Sequence, residues 1–129
     1  MKLKEIRDWK YEFFMNSSGK KPQFNSFVKD LKREIKKVLS GSDLNLVEFS
    51  VSHFYVSGFV KNTSTGKYCY FSTGDVRVNN WYDNFLVRTC RDTKDYSGGF
   101  NNYCSFDNFV DKCVTLIYRK GVYCNGKHS

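Results

Sequence analysis

The tract Arg88-Thr-Cys-Arg91-Asp-Thr-Lys94-Asp-Tyr96-Ser-Gly98-Gly99-Phe100-Asn-Asn-Tyr103 combines three cations, a glycine pair and several rings. Successive backbone amides beside a Gly-Gly step can form an anion-binding nest, with Arg88, Arg91 and Lys94 supplying charge and Tyr96 a ring. The competing reading is a plain surface turn in which Asp92 and Asp95 pair with those bases. A second candidate is the cationic set Lys29, Lys32, Arg33, Lys36 and Lys37, joined at the far end by Arg119, Lys120 and Lys127. Such a set suits the phosphates of a nucleic acid or a nucleoprotein. Its bland alternative is a solvated helix face partly neutralised by Asp30 and Glu34. A third candidate is aromatic. Tyr55, Tyr68, Tyr70, Trp81 and Tyr82 are the rings expected to contact a partner if they are not simply core.

Other chemistries find less support. The ligand-like pair Cys124 and His128 lacks the paired short spacings of a closed zinc site, and no metal or cofactor is expected. A nuclease would need carboxylates that hold Mg²⁺. Asp75 beside Arg77, and Asp92 with Asp95 beside Lys94, offer only carboxylates near bases. Cys90 or Cys104 could act as a nucleophile if His53 lay beside it, yet His53 reads as a sheet histidine among apolar neighbours. No catalytic residue is assigned. The five cysteines, Cys69, Cys90, Cys104, Cys113 and Cys124, contain no Cys-x-x-Cys and read as reduced, buried filler.

A chain of 129 residues with 40% hydrophobic and 26% charged residues is expected to form one folded domain. Its formal net charge of +8 favours polyanions. No apolar run is long enough to span a bilayer, and Lys2, Lys4, Glu5, Arg7 and Asp8 break up any signal-like start, so a cytoplasmic setting with no membrane partner is expected. Alanine is absent, proline and glutamine occur once each, and Lys outnumbers Arg 15 to 6. Codon content explains this through an AT-rich genome, such as a low-GC bacterium or its phage.

These residues must be positioned by helices and strands. Leu3, Ile6, Trp9 and Phe13 predict a short amphipathic helix, followed by a loop over 16–22. Asn25 or Ser26 can cap a helix striped by Phe27, Val28, Leu31, Ile35, Val38 and Leu39, with Gly41 as its left-handed stop. The basic N-terminal helices thus occupy about residues 3–40. Alternation from Val47 to Phe59 predicts one long strand, and Asn62–Gly66 a hairpin turn into a strand over Lys67–Thr73. Short strands at Val76–Val78 and Asn84–Arg91 follow, then a loop over 92–99 and an Asn-rich stretch. Ser105 is placed to cap a helix carrying Phe106, Phe109, Val110, Cys113 and Ile117. The basic tail, about 118–129, is expected to begin as an edge strand at Thr115–Tyr118 or Val122–Cys124. The expected fold is α+β, an antiparallel meander of about four strands with N-terminal helices and one C-terminal helix. Rings fall on both sides of its first strands. Either the second sheet face is an open interaction surface or the N-terminal helix wraps round to cover it.

The tract Trp81-Tyr-Asp-Asn-Phe-Leu-Val-Arg-Thr, continuing to Asp95-Tyr-Ser-Gly-Gly, resembles small accessory proteins of phages and integrative elements in low-GC Gram-positive bacteria. That group includes many inhibitors of CRISPR nucleases. The resemblance is one of style over the middle third, carries no diagnostic motif and transfers no functional residue. It implies a one-domain cytoplasmic binder that acts by occlusion, on a bacterial nucleoprotein such as a CRISPR effector. Inhibitors that mimic DNA are acidic, whereas this chain is basic. It would have to meet an acidic protein patch, the guide RNA or the DNA itself.

Charge and rings are separated along the chain. Residues 1–40 carry net +6 and residues 118–129 net +3, while residues 41–117 carry net −1 and 15 of the 23 aromatics. The expected function is non-enzymatic binding, docking on a nucleoprotein and inhibiting a CRISPR–Cas nuclease. The alternatives are a direct DNA- or RNA-binding protein, a small metal-dependent nuclease, or a plain oligomerising structural module.

Overall fold

Amphipathic spacing and one well-placed glycine make the first helix. In the computed structural model, which describes residues 22–76, 80–95 and 99–118, α1 spans Pro22–Leu39. Proline suits a first helical position because the missing N–H has no intrahelical partner there. The helix therefore begins three to four residues before the expected caps Asn25 and Ser26. Phe24, Phe27, Leu31, Ile35 and Leu39 form its buried stripe. Gly41, at φ +85°, ends it as expected. The Ser42 hydroxyl then donates to the Leu39 carbonyl at 2.6 Å and accepts the Leu44 N–H at 3.1 Å, turning the chain into the sheet.

Five strands follow: β1 Leu44–Ser52, β2 Tyr55–Asn62, β3 Tyr68–Ser72, β4 Phe85–Cys90 and β5 Asn102–Cys104. They form one antiparallel sheet in the order β1-β2-β3-β4-β5, a plain meander. A 3₁₀ turn at Phe106–Asn108 leads into α2, Phe109–Tyr118. The α+β reading holds, with one strand more than expected.

Several local expectations are corrected. The long strand from Val47 to Phe59 is two strands, folded at His53-Phe54 with Ser52 opposite Tyr55. Phe54 takes φ +58°, a left-handed conformation uncommon for a large side chain. Its ring lies 5.2 Å from that of Phe24 in the core, and this burial outweighs the local backbone cost. His53 is consequently an exposed turn residue and not a mid-strand one. The Asn-rich stretch forms β5. Val76 lies in a turn, its N–H donating to the Phe54 carbonyl at 2.9 Å, while Arg77 and Val78 lie outside the described residues. Thr115–Tyr118 closes α2 rather than forming an edge strand. Ser105 precedes the 3₁₀ turn without a side-chain cap bond. The expected turn at 62–66 is present, with the Asn62 side chain accepting from the N–H groups of Ser64 and Thr65. The helix over 3–15 and the tail beyond 118 lie outside the described residues.

Both helices contribute to one core with the sheet face bearing Val56, Val60, Cys69, Phe71, Phe85 and Val87. Aromatic packing dominates it. Phe71 stacks on Phe85 at 5.7 Å, and Phe85 meets Phe109 edge-on at 4.9 Å. Among the described residues no helix is long and apolar enough to cross a membrane.

Among the described residues the rings of the second sheet face are mostly half-buried. Phe59, Cys90 and Arg88 are buried there, and Tyr55, Tyr68 and Tyr70 are half-buried. Among the described residues the large exposed hydrophobic side chains are Val47, Val51, Phe100 and Tyr103. Tyr103 lies on this same face, because it opposes Leu86, Leu86 opposes Ser72 and Ser72 opposes Ser57, so the rings there are partly open to solvent. The alternative expectation, a cover from the N-terminal helix, falls outside the described residues.

Candidate functional site

Helical periodicity gathers the first cationic set. Lys29, Lys32 and Lys36 fall at i, i+3 and i+7, with Arg33 and Lys37 alongside, opposite the stripe of Phe27, Leu31 and Ile35. All five cations are exposed, whereas Asp30 and Glu34 are buried at the border of the face. Arg33 pairs with Asp30 at 2.8 Å, and Lys37 reaches Glu34 only at 4.0 Å. Such mixed-exposure pairs add little to stability because water screens the exposed partner. Lys32 lies 5.2 Å above the Phe49 ring. Among the described residues no carboxylate pairs with Lys29, Lys32 or Lys36. Lys36 and Lys37 also sit in the last helical turn, where positive charge is favoured.

The Arg88–Tyr103 tract folds differently from an anion nest. The Asp92 carboxylate accepts the Lys94 N–H at 2.8 Å, and its carbonyl accepts the Asp95 N–H at 3.3 Å. Buried Asp95 accepts the Arg91 N–H at 3.0 Å, with the Arg91 side chain 3.7 Å away. The amides of Arg91, Lys94 and Asp95 are thus already spent on the turn's own oxygens. This favours the turn reading for the described part of the tract, and Tyr96 and Gly98 lie outside it.

Arg88 is no surface cation. At 6% exposure it lies on the second sheet face, its guanidinium 4.2 Å from the Tyr70 ring centre. One nitrogen donates to the Asp95 carbonyl at 3.3 Å, and its Nε has no hydrogen-bond partner among the described residues. Stacking and a tie to the loop make Arg88 a structural bolt between β3, β4 and the 91–95 turn. Lys61 covers the Tyr68 ring at 5.5 Å in the same way. Rings and cations far apart in the chain therefore meet across the sheet, which linear charge counting cannot register.

Trp81 and Tyr82, expected among the contact rings, are 2% and 5% exposed and belong to the core. Trp81 packs against Phe27 at 5.4 Å and Phe106 at 5.7 Å. The Tyr82 hydroxyl donates to the Asp107 carboxylate, and the Tyr82 carbonyl accepts the Phe106 N–H at 2.6 Å. This two-point tie fastens the turn before β4 to the 3₁₀ turn that leads into α2 and leaves neither ring on the surface. Arg119 and Lys120 lie outside the described residues.

No family model, curated protein or solved structure matches this chain. Function must therefore be argued from its own side chains.

The registers keep the proposed nucleophile and base apart. Cys90 is level with Tyr68 and Lys61, at the end of the sheet away from the His53 turn. Cys104 lies on β5, three strands from β2, at about 4.8 Å per strand. Among the described residues no three His, Cys, Asp or Glu side chains group as metal ligands. Cys124 and His128 lie outside those residues. Cys69, Cys90, Cys104 and Cys113 are free thiols, and the Cys69 thiol points at the Cys113 carbonyl, 3.9 Å away.

Burial pushes the Cys113 thiol well above the usual range, reinforced by its hydrogen bond with Cys69. Burial also raises Cys104, partly offset by Lys112. The folded chain therefore keeps a Cys113 proton that the unfolded chain releases above about pH 8.5. Stability from this group is complete below that pH and declines as the pH rises above it. Urea titrations between pH 8 and 10 should show this decline in the native protein and a shallower one in Cys113→Val. Parallel slopes would count against it.

Proposed function

We propose that this is a non-enzymatic binding protein that docks on a nucleoprotein, with the solvent face of α1 laid against nucleic-acid phosphates. The carrying observation is that face itself: five exposed cations in register, three of them without a carboxylate partner among the described residues. Unpaired exposed lysines keep their counterions until a polyanion displaces them, and that release drives phosphate binding. The net charge of +8 adds long-range attraction. A CRISPR effector carrying guide RNA, as the resemblance to mobile-element accessory proteins implies, is the specific nucleoprotein proposed.

A gel-shift series with DNA and RNA at rising salt tests the contact. If Lys29, Lys32 and Lys36 each neutralise one phosphate, their share of the log–log salt slope on duplex DNA is about −2.7. The triple variant Lys29→Glu/Lys32→Glu/Lys36→Glu should lose that share and bind at least about tenfold more weakly at low salt. Buried Arg88 serves as the control, and Arg88→Met should leave nucleic-acid binding unchanged. Absence of binding at low salt sinks direct phosphate contact. Inhibition of a guide-loaded effector that survives the triple substitution places the contact elsewhere. Cleavage abolished by a chelator would make the protein a metal-dependent nuclease instead.

A further inference from the structure

The sheet has two unlike edges. β5 is only three residues long, whereas β1 runs for nine, Leu44–Ser52. Natural edge strands are blunted by shortness, lysine, proline or a cover. β1 has no lysine, arginine or proline, and its one charge is Glu48. Val47 and Val51 are 41% and 50% exposed, and Glu48, Ser50 and Ser52 are exposed as well. The bulge between Leu46 and Glu48 confines irregularity to the first half, leaving Glu48–Ser52 in unbroken register with β2.

Backbone bonding shows which groups on this edge point away from β2. The Val56 N–H donates to Thr73 Oγ1 at 3.1 Å, and its carbonyl accepts the Thr73 N–H at 2.9 Å. Both Val56 groups thus face β3, so the pair Val51↔Val56 is not hydrogen-bonded. The N–H and C=O of Val51 consequently turn outward, and those of Phe49, two residues back, do likewise. Among the described residues nothing is hydrogen-bonded to this edge.

We propose that β1 pairs antiparallel with β1 of a second copy of this chain, about a two-fold axis through Ser50. The segment is close to self-complementary about that residue, and this selects a second copy over an unrelated strand. In this register Phe49 pairs with Val51 of the second copy, and the reverse pair follows by symmetry, using all four outward groups on each chain. Both pairs join aromatic and β-branched side chains on the core face of the sheet. The two Ser50 residues oppose each other without hydrogen bonding, and Glu48 faces Ser52 of the second copy, so the two carboxylates do not meet. Centring on Glu48 would oppose two carboxylates and is disfavoured. The result is one ten-stranded sheet with both α1 helices on the same face. This inference stands independently of the nucleic-acid reading.

Sedimentation equilibrium of the full chain over a wide concentration range tests it. The native protein should show a reversible monomer–dimer equilibrium, and Val51→Lys, at an exposed edge position, should shift it at least about tenfold toward monomer. Val51→Pro, which removes an outward N–H without costing a β1–β2 bond, should do the same. Circular dichroism of both variants confirms that they remain folded. Ser50→Cys in a Cys124→Ser background should give a diamide-induced disulfide dimer, and Glu48→Cys in that background should not. A native protein that stays monomeric throughout overturns the proposal. So does a dimer indifferent to Val51→Lys and Val51→Pro, or one cross-linked through residue 48 and not through 50.

Discussion

Gly58→Ala is expected to destabilise the protein by about 3 kcal/mol. Gly58 lies in β2 opposite Phe71 on β3 and Phe49 on β1, on the core face. A Cβ there would run into the Glu48 carbonyl oxygen and come within 2.7 Å of the Phe71 ring. Neither can yield. The carbonyl belongs to the neighbouring strand, and the fully buried Phe71 ring is held by Phe85 and Phe109. Gly66 is the matched control. It has φ +77° but open space around its Cβ position, so Gly66→Ala should cost only the left-handed backbone term, about 1 kcal/mol. Urea denaturation of both variants decides the point, and equal midpoints would refute the clash argument.

Trp81→Ala should cost about 4 kcal/mol, a large part of the about 5–15 kcal/mol that holds a domain together. The indole joins α1 to the 3₁₀ turn before α2 through Phe27 and Phe106, so its loss opens a cavity between two elements at once. Trp81→Phe should be much milder, about 1–2 kcal/mol. The indole N–H has no hydrogen-bond partner among the described residues, so removing it relieves an unsatisfied donor and returns part of the lost packing. Thermal unfolding of the pair tests this. A Trp81→Phe loss as large as that of Trp81→Ala would mean that the N–H is satisfied after all.

These two sites show where sequence reasoning reaches and where it stops. The stripe of α1 was legible because helix contacts are local: Phe27, Leu31 and Ile35 recur every four residues, and that spacing alone puts Lys29, Lys32 and Lys36 on the opposite side. The turn at Asn62–Gly66 was legible for the same reason. The fold at His53-Phe54 was not, because it carries no glycine, asparagine or aspartate and the alternation runs on through it. Its signal is a distant ring, Phe24, that rewards the unusual backbone of Phe54. Strand β5 was hidden because three residues are too few to show a period.

Trp81 and Tyr82 look like surface rings in a polar stretch, and only their partners on α1 and the 3₁₀ turn place them inside. The opposition of β1 residues to β2, which leaves Phe49 and Val51 with outward backbone groups, likewise depends on where Val56 spends its own. Composition and local periodicity thus determined the α+β class and the basic helix face. Tertiary structure alone decided which rings are core, that Arg88 is a buried bolt on Tyr70, and which backbone groups of β1 point away from β2. Periodicity records neighbours within a few residues, whereas these facts depend on pairings between residues far apart in the chain.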